Sequence, residues 1–291
     1  MEQRITFESD GLSLAGILRT PEGPPRGGDG QRPAFLVLHG FGSNKDGGVS
    51  KAVAELLTGF GYVTLRFDMR GCGDSQGARG RVICLEQVAD TRAARTWLAG
   101  RPEIDPARIG VIGNSFGAAV AVYATAVEPQ LAACISCGGW GDGASKFRKQ
   151  HESPEAWARF TAMMDDGKRQ RAAGKTLMVP RYDIVPIPPG LRGNLSPGSI
   201  MEFPFDVVES MVGFVANDVV ARIAPRPLLL LHPAVDSVTP TEQSIELFKR
   251  AGQPTDLHLV ANVDHFMLSE GNPLVIELVR NWLQKYFAVA R

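Results

Sequence analysis

The sequence predicts an α/β protein: a mostly parallel central sheet with helices on both faces and one inserted cap. Three observations predict it. Apolar runs of strand length alternate with amphipathic stretches of helix length. The strands are apolar throughout rather than at every second residue, as in a sheet covered on both faces. The alternation breaks off after Trp140 and resumes near Pro227. A chain of 291 residues is long enough for one domain carrying such an insertion.

Two strand-like runs open the chain, Ile5–Glu8 and Leu12–Leu18, parted by a Ser-Asp-Gly turn signal. The Pro- and Gly-rich stretch Thr20–Pro33 reads as a loop. AFLVLH (34–39) is a buried strand, and 45–59 a helix with Val49, Val53, Leu56 and Leu57 on its apolar side. YVTLRF (62–67) is a strand and 85–99 a second amphipathic helix. RIGVIGN (108–114) is a strand, 116–127 an Ala- and Val-rich helix, and LAACISC (131–137) a strand. After the break come strand 227–232, helix 241–250, strand 256–261 and a final helix over 273–287.

Residues 1–139 and 223–291 are therefore assigned to the core, and 140–222 to a cap over the carboxyl edge of the sheet. An insertion of that size is too long for an ordinary loop. Its first part is expected to be helical and its second is proline-rich, from Pro180 to Pro204.

Composition narrows the function. Lys plus Arg and Asp plus Glu number 31 each, so no net charge draws the chain to nucleic acid or an anionic membrane. No run approaches the ~18 apolar residues of a membrane span. The opening MEQRITFESDG has no basic region followed by an apolar run, and the expectation is a cytoplasmic protein. Cys134 and Cys137 form a C-x-x-C, but within a strand residues three apart point to opposite faces. They are expected to be core residues rather than a redox or metal pair.

The strongest chemical signal is Gly113-Asn114-Ser115-Phe116-Gly117. G-x-S-x-G is common by chance in a Gly-rich chain. Here it directly follows a strand and directly precedes a helix, the setting of a nucleophile elbow. The helix N-terminus favours a developing anion beside the serine.

A nucleophilic serine needs a base, and the chain has five histidines: His39, His151, His232, His258 and His265. For such an elbow the chain order is Ser, acid, His, each on a loop after a strand. Only His265, in VDHFM, meets order and position together. Asp236, in the loop after strand 227–232, is expected to orient it, with Asp264 and Asp218 as rivals. His39-Gly40-Phe41-Gly42 follows the first long core strand. The backbone N–H groups of Phe41 and Phe116 are expected to form an oxyanion hole.

With these residues the chain resembles the α/β-hydrolase superfamily, and within it the capped cinnamoyl/feruloyl-esterase-like and dienelactone-hydrolase-like esterases. The shared marks are GLSLAGILRTPEG, LHGFGSNKD, RFDMRGCGDSQG, IGVIGNSFGAAVA, DSVTP and VDHFML, which together span most of the chain outside the cap. The resemblance implies an α/β-hydrolase fold and a serine hydrolase of a small carboxylic ester, needing no cofactor and no metal. Two departures stand out. Dienelactone hydrolases proper attack through cysteine where this chain has Ser115. His232-Pro233 also replaces the His-Gly more usual in relatives. An amidase or peptidase, a C–C bond hydrolase or an acyltransferase would use the same triad, and a non-enzymatic receptor would share the fold.

The expected partner is a small-molecule acyl substrate, with no nucleic acid and no membrane span; a homo-oligomer is left open. Trp140, Trp157, Phe160, Tyr182 and Phe214 are the candidate substrate contacts. Met163, Met164, Phe203, Phe205 and Met211 are further candidates, each also suited to the cap's own core.

Overall fold

The computed structural model describes residues 1–24, 30–269 and 271–289. Its frame is an eight-stranded sheet in the order β1-β2-β4-β3-β5-β6-β9-β10. The strands are β1 (Glu2–Ser9), β2 (Leu12–Arg19), β3 (Arg32–Leu38), β4 (Val63–Phe67), β5 (Ile104–Asn114), β6 (Ala133–Cys137), β9 (Leu228–Pro233) and β10 (Thr255–Val260). β1, β2 and β4 pair antiparallel; from β4 to β10 every pairing is parallel. Residues 25–29 of the expected Pro/Gly loop lie outside the described residues.

The apolar strands feed two cores because successive side chains face opposite ways. Leu36, Leu38, Val111, Cys134, Leu228 and Leu230 point into one core with α2 (Cys84–Ala99) and α3 (Phe116–Val127). Phe35, Val37, Ile112, Cys137, Leu229 and Leu231 point into the other, against α1 (Gly48–Gly59) and α9 (Pro273–Tyr286). Cys134 and Cys137 thus lie on opposite faces of the sheet, both buried and unpaired.

Parallel strands place their carboxyl ends along one edge, where α/β folds gather their functional loops. Phe41 follows β3, Ser115 follows β5, Trp140 follows β6, Asp236 follows β9 and His265 follows β10.

Between β6 and β9 the chain forms α4 (Gly143–Gln150), α5 (Pro154–Ala172), β7 (Met178–Pro180), α6 (Arg181–Ile184), β8 (Glu202–Pro204) and α7 (Phe205–Val212). Three short 3₁₀ helices complete it. Local chemistry explains the helix starts. The Asp142 side chain caps α4 by accepting from Ser145 N, and Ser153 caps α5 by accepting from Ala156 N ahead of Pro154. The proline-rich part contributes the antiparallel pair β7–β8, which the sequence pattern did not anticipate. The remaining helix, α8 (Glu242–Arg250), follows β9. Among the described residues no helix is long and apolar enough to cross a membrane.

Candidate active site

Ser115 alone joins β5 to α3, with φ +55° and ψ −116°, a strained state for a residue with a Cβ. Its flanking glycines are steric requirements. A Cβ on Gly113 would lie 2.1 Å from Gly117 O; one on Gly117 would lie 2.6 Å from the carbonyl oxygens of both Leu38 and His39. Backbone atoms cannot step aside for it, so only glycine fits. The Ser115 amide donates to Cys137 O at 2.9 Å, tying the turn to the neighbouring strand.

Ser115 Oγ lies 2.8 Å from His265 Nε2. His265 Nδ1 lies 2.9 Å from Asp236 Oδ2 and 3.1 Å from Oδ1. A carboxylate only accepts, so Nδ1 carries the ring proton and Nε2 offers its lone pair to the serine hydroxyl. Asp236 Oδ1 also accepts from the amides of Val238 (2.7 Å) and Thr239 (2.8 Å). Burial opposes ionisation of Asp236, but attraction to His265 and hydrogen bonds from His232 and His265 outweigh it. The carboxyl group is held well below the usual carboxylate range.

Asp264 does other work. Its Oδ1 accepts from the backbone N–H groups of His265 (2.7 Å) and Ser237 (3.0 Å), and its Oδ2 from Ser237 Oγ (2.8 Å). It ties the His265 loop to the Asp236 loop and does not reach the imidazole. Asp218 sits in the 3₁₀ helix Ala216–Asp218, on a separate groove with Tyr123 and Phe214.

Two other histidines are rivets. His39 Nε2 accepts from Met69 N (3.1 Å), so Nδ1 holds the proton and donates to Gly40 O (2.8 Å); burial holds its pKa below the ordinary histidine value. His232, wholly buried, sets Nε2 3.0 Å from Thr239 O and 3.3 Å from Asp236 Oδ2, while Nδ1 meets Ser244 Oγ at 2.6 Å. Its place at the end of β9 was visible in the sequence; its contact with the acid was not.

The amides of Phe41 and Phe116 donate to no backbone carbonyl among the described residues. Both residues line the Ser115 pocket. Their rings pack 5.8 Å apart, and Phe41 stacks on Phe203 at 4.1 Å. Arg181 Nη2 donates to Phe41 O at 2.5 Å and Nη1 to Ile200 O at 2.8 Å, so this buried guanidinium clamps the loop from α6.

Of the five aromatic residues proposed from sequence as substrate contacts, Trp140 lines the pocket. The other four face elsewhere. Phe160 is buried among Phe147, His151 and Trp157. Trp157 also packs under Arg148, and Tyr182 lies beneath Arg192. Phe214 packs on Tyr123 and Trp140 and lines the separate groove. These four build the inserted segment's own core and edges, because aromatic side chains there satisfy burial before they face a ligand. Met211 does line the pocket, with Val185, Ile187, Leu195 and Val238.

Sequence reasoning missed Lys146 and Arg181, which also line it. Both resemble ordinary surface charges in the sequence, and only the packing of the inserted segment buries them. Among the described residues no His, Cys, Asp or Glu cluster is placed to hold a metal ion.

The model of the X-Pro dipeptidyl-peptidase (S15) family matches residues 10–189. The chain belongs to that family. The match contains Ser115 but stops before Asp236 and His265. A polyketide transferase from Penicillium crustosum is 24% identical over 290 residues, covering 92% of each chain. The solved structure of the α/β hydrolase GrgF from Penicillium superposes with a TM-score of 0.79 at 21% identity, over 99% of both chains. Est1E from Butyrivibrio proteoclasticus, solved with ferulic acid bound, gives 0.70 at 19% identity, over 98% of this chain and 99% of that one. Family and neighbours agree with the architecture: the fold is that of the α/β hydrolases, and the chain is an enzyme of that class.

Proposed function

We propose that the chain is a serine hydrolase that cleaves a small carboxylic ester through an acyl-enzyme on Ser115. The observation that carries this reading is the unbroken relay Ser115 Oγ–His265 Nε2, His265 Nδ1–Asp236, beside two uncommitted amides. His265 takes the hydroxyl proton as Ser115 Oγ attacks the carbonyl carbon. The negative oxygen of the tetrahedral intermediate is received by the Phe41 and Phe116 amides, worth about 3–4 kcal/mol per donor in such sites. Asp236, kept ionised, stabilises the imidazolium. His265 then gives its proton to the departing alcohol, and water releases the acid by the same steps reversed.

In this reading residues 140–222 act as the cap. They supply Trp140, Lys146, Arg181, Ile187 and Met211 to the pocket wall and so set which acyl group enters. Among the described residues the pocket has no Asp or Glu on its wall, hence no carboxylate to pair with the free ammonium of an X-Pro dipeptide. That disfavours the activity for which the family is named. Transfer of the acyl group to a second nucleophile is the alternative supported by the polyketide-transferase relative.

The test compares a short-chain para-nitrophenyl ester with the anilide of the same acid, with and without a competing alcohol. Ester hydrolysis that falls by about 10⁴-fold or more in Ser115→Ala supports the proposal. Faster cleavage of the anilide, or release of only the transfer product, would replace it.

A further inference from the structure

Lys146 is 1% exposed and lines the Ser115 pocket. Its ammonium lies 3.8 Å from the Phe147 ring centroid and 4.7 Å from that of Trp140, and donates one hydrogen bond, to Gln150 Oε1 at 2.9 Å. No carboxylate pairs with it among the described residues. Two of its three N–H groups are unspent. The Trp140 indole Nε1, on the same wall, is also buried without a partner, as is Arg181 Nε. Among the described residues the pocket wall thus carries two buried cations, several idle donors and no Asp or Glu.

An unpaired buried ammonium is costly, and aromatic faces recover only part of that cost. Methionine would fill the same space without it. Donors that find no acceptor in the protein are satisfied when a ligand brings one. We propose that the acyl group accepted by this pocket carries a carboxylate, which pairs with the Lys146 ammonium beside the Trp140 indole N–H. The inference rests on the Ser115 pocket being the substrate site.

The ionisation of Lys146 agrees. Burial lowers its pKa to about 7, against smaller opposing effects of Cys84 on α2 and Asp236 after β9. His151, one turn further along the chain, feels its charge, and Arg181 and His265 share the pocket wall. A bound carboxylate favours the charged form, so above pH 7 binding draws one proton from solution onto Lys146 Nζ.

Calorimetric titration with glutarate and with valerate, which have equal chain length but differ by one carboxylate, tests this without requiring turnover. The wild-type protein should bind glutarate about tenfold or more tightly than valerate at neutral pH, and take up about one proton per glutarate at pH 8. In Lys146→Met the preference should shrink to about threefold or less. Equal binding of the two acids by the wild type, absence of proton uptake, or a preference that survives in Lys146→Met would overturn the proposal. If the variant does not fold, the two wild-type measurements decide. Failure of the serine-hydrolase reading would show separately, as failure of Ser115 to react with a fluorophosphonate.

Discussion

His232 Nε2 lies 3.3 Å from Asp236 Oδ2, the oxygen that His265 Nδ1 reaches at 2.9 Å. The imidazole therefore holds the acid in place from a second direction while binding Thr239 O and Ser244 Oγ. Replacing His232 by Leu leaves those buried groups without partners, at about 1–3 kcal/mol each. The variant should be less stable to urea, and kcat should fall about tenfold with KM little changed. His232→Gln, which restores one donor, should recover part of kcat; a purely structural role would show no such rescue at matched stability.

Asp236 and Asp264 are separable by mutation. Asp236→Asn keeps an oxygen for the Val238 and Thr239 amides but removes the carboxylate that fixes the His265 tautomer. Hydrolysis should drop by about 10⁴-fold. Asp264→Ala removes a brace between two loops, and the loss should stay near tenfold. Steady-state rates of the two purified variants decide; the reverse ranking would transfer the acid's role to Asp264.

Lys146 makes stability depend on pH in a defined window. Its folded pKa is lowered from 10.5 to about 7, so between those values the unfolded chain binds the extra proton. Stability from this group rises with pH across that window and is flat below it. Urea denaturation at pH 7 and pH 9 should show the rise in the wild type and not in Lys146→Met. The variant should also melt at least about 2–4 °C higher at pH 7, because it buries no charge. Asp236 acts in the same sense at lower pH: its carboxyl is also held below its ordinary value, so its stabilising contribution is present above the ordinary carboxylate range and is lost in acid.

Much of this was legible in the sequence where local pattern and chemistry coincide. The strand, turn and helix around Ser115 carry their own signals, and Gly113 and Gly117 mark a turn that admits no side chain. Boundaries moved where side chains had tertiary duties. α1 begins at Gly48, after the expected residue 45, because Lys45 is spent in the loop. Its amide and ammonium both bind buried Asp68, at 2.5 and 3.0 Å. The pocket wall was not legible. Trp157, Phe160, Tyr182 and Phe214 have compositions that suit a core and a ligand site equally, and sequence spacing does not say which way a short helix faces. Lys146 sits in the polar run GASKFRKQ, and only contact with Trp140 and Phe147 turns it from a surface charge into a buried one.

The central claim is that Ser115 is a nucleophile activated by His265. Intact-mass and peptide mapping after brief exposure to a fluorophosphonate tests it directly. One adduct is expected, on Ser115, absent in Ser115→Ala and slowed at least about 10³-fold in His265→Ala. An unmodified Ser115 in folded protein, or labelling that proceeds equally well without His265, would contradict it.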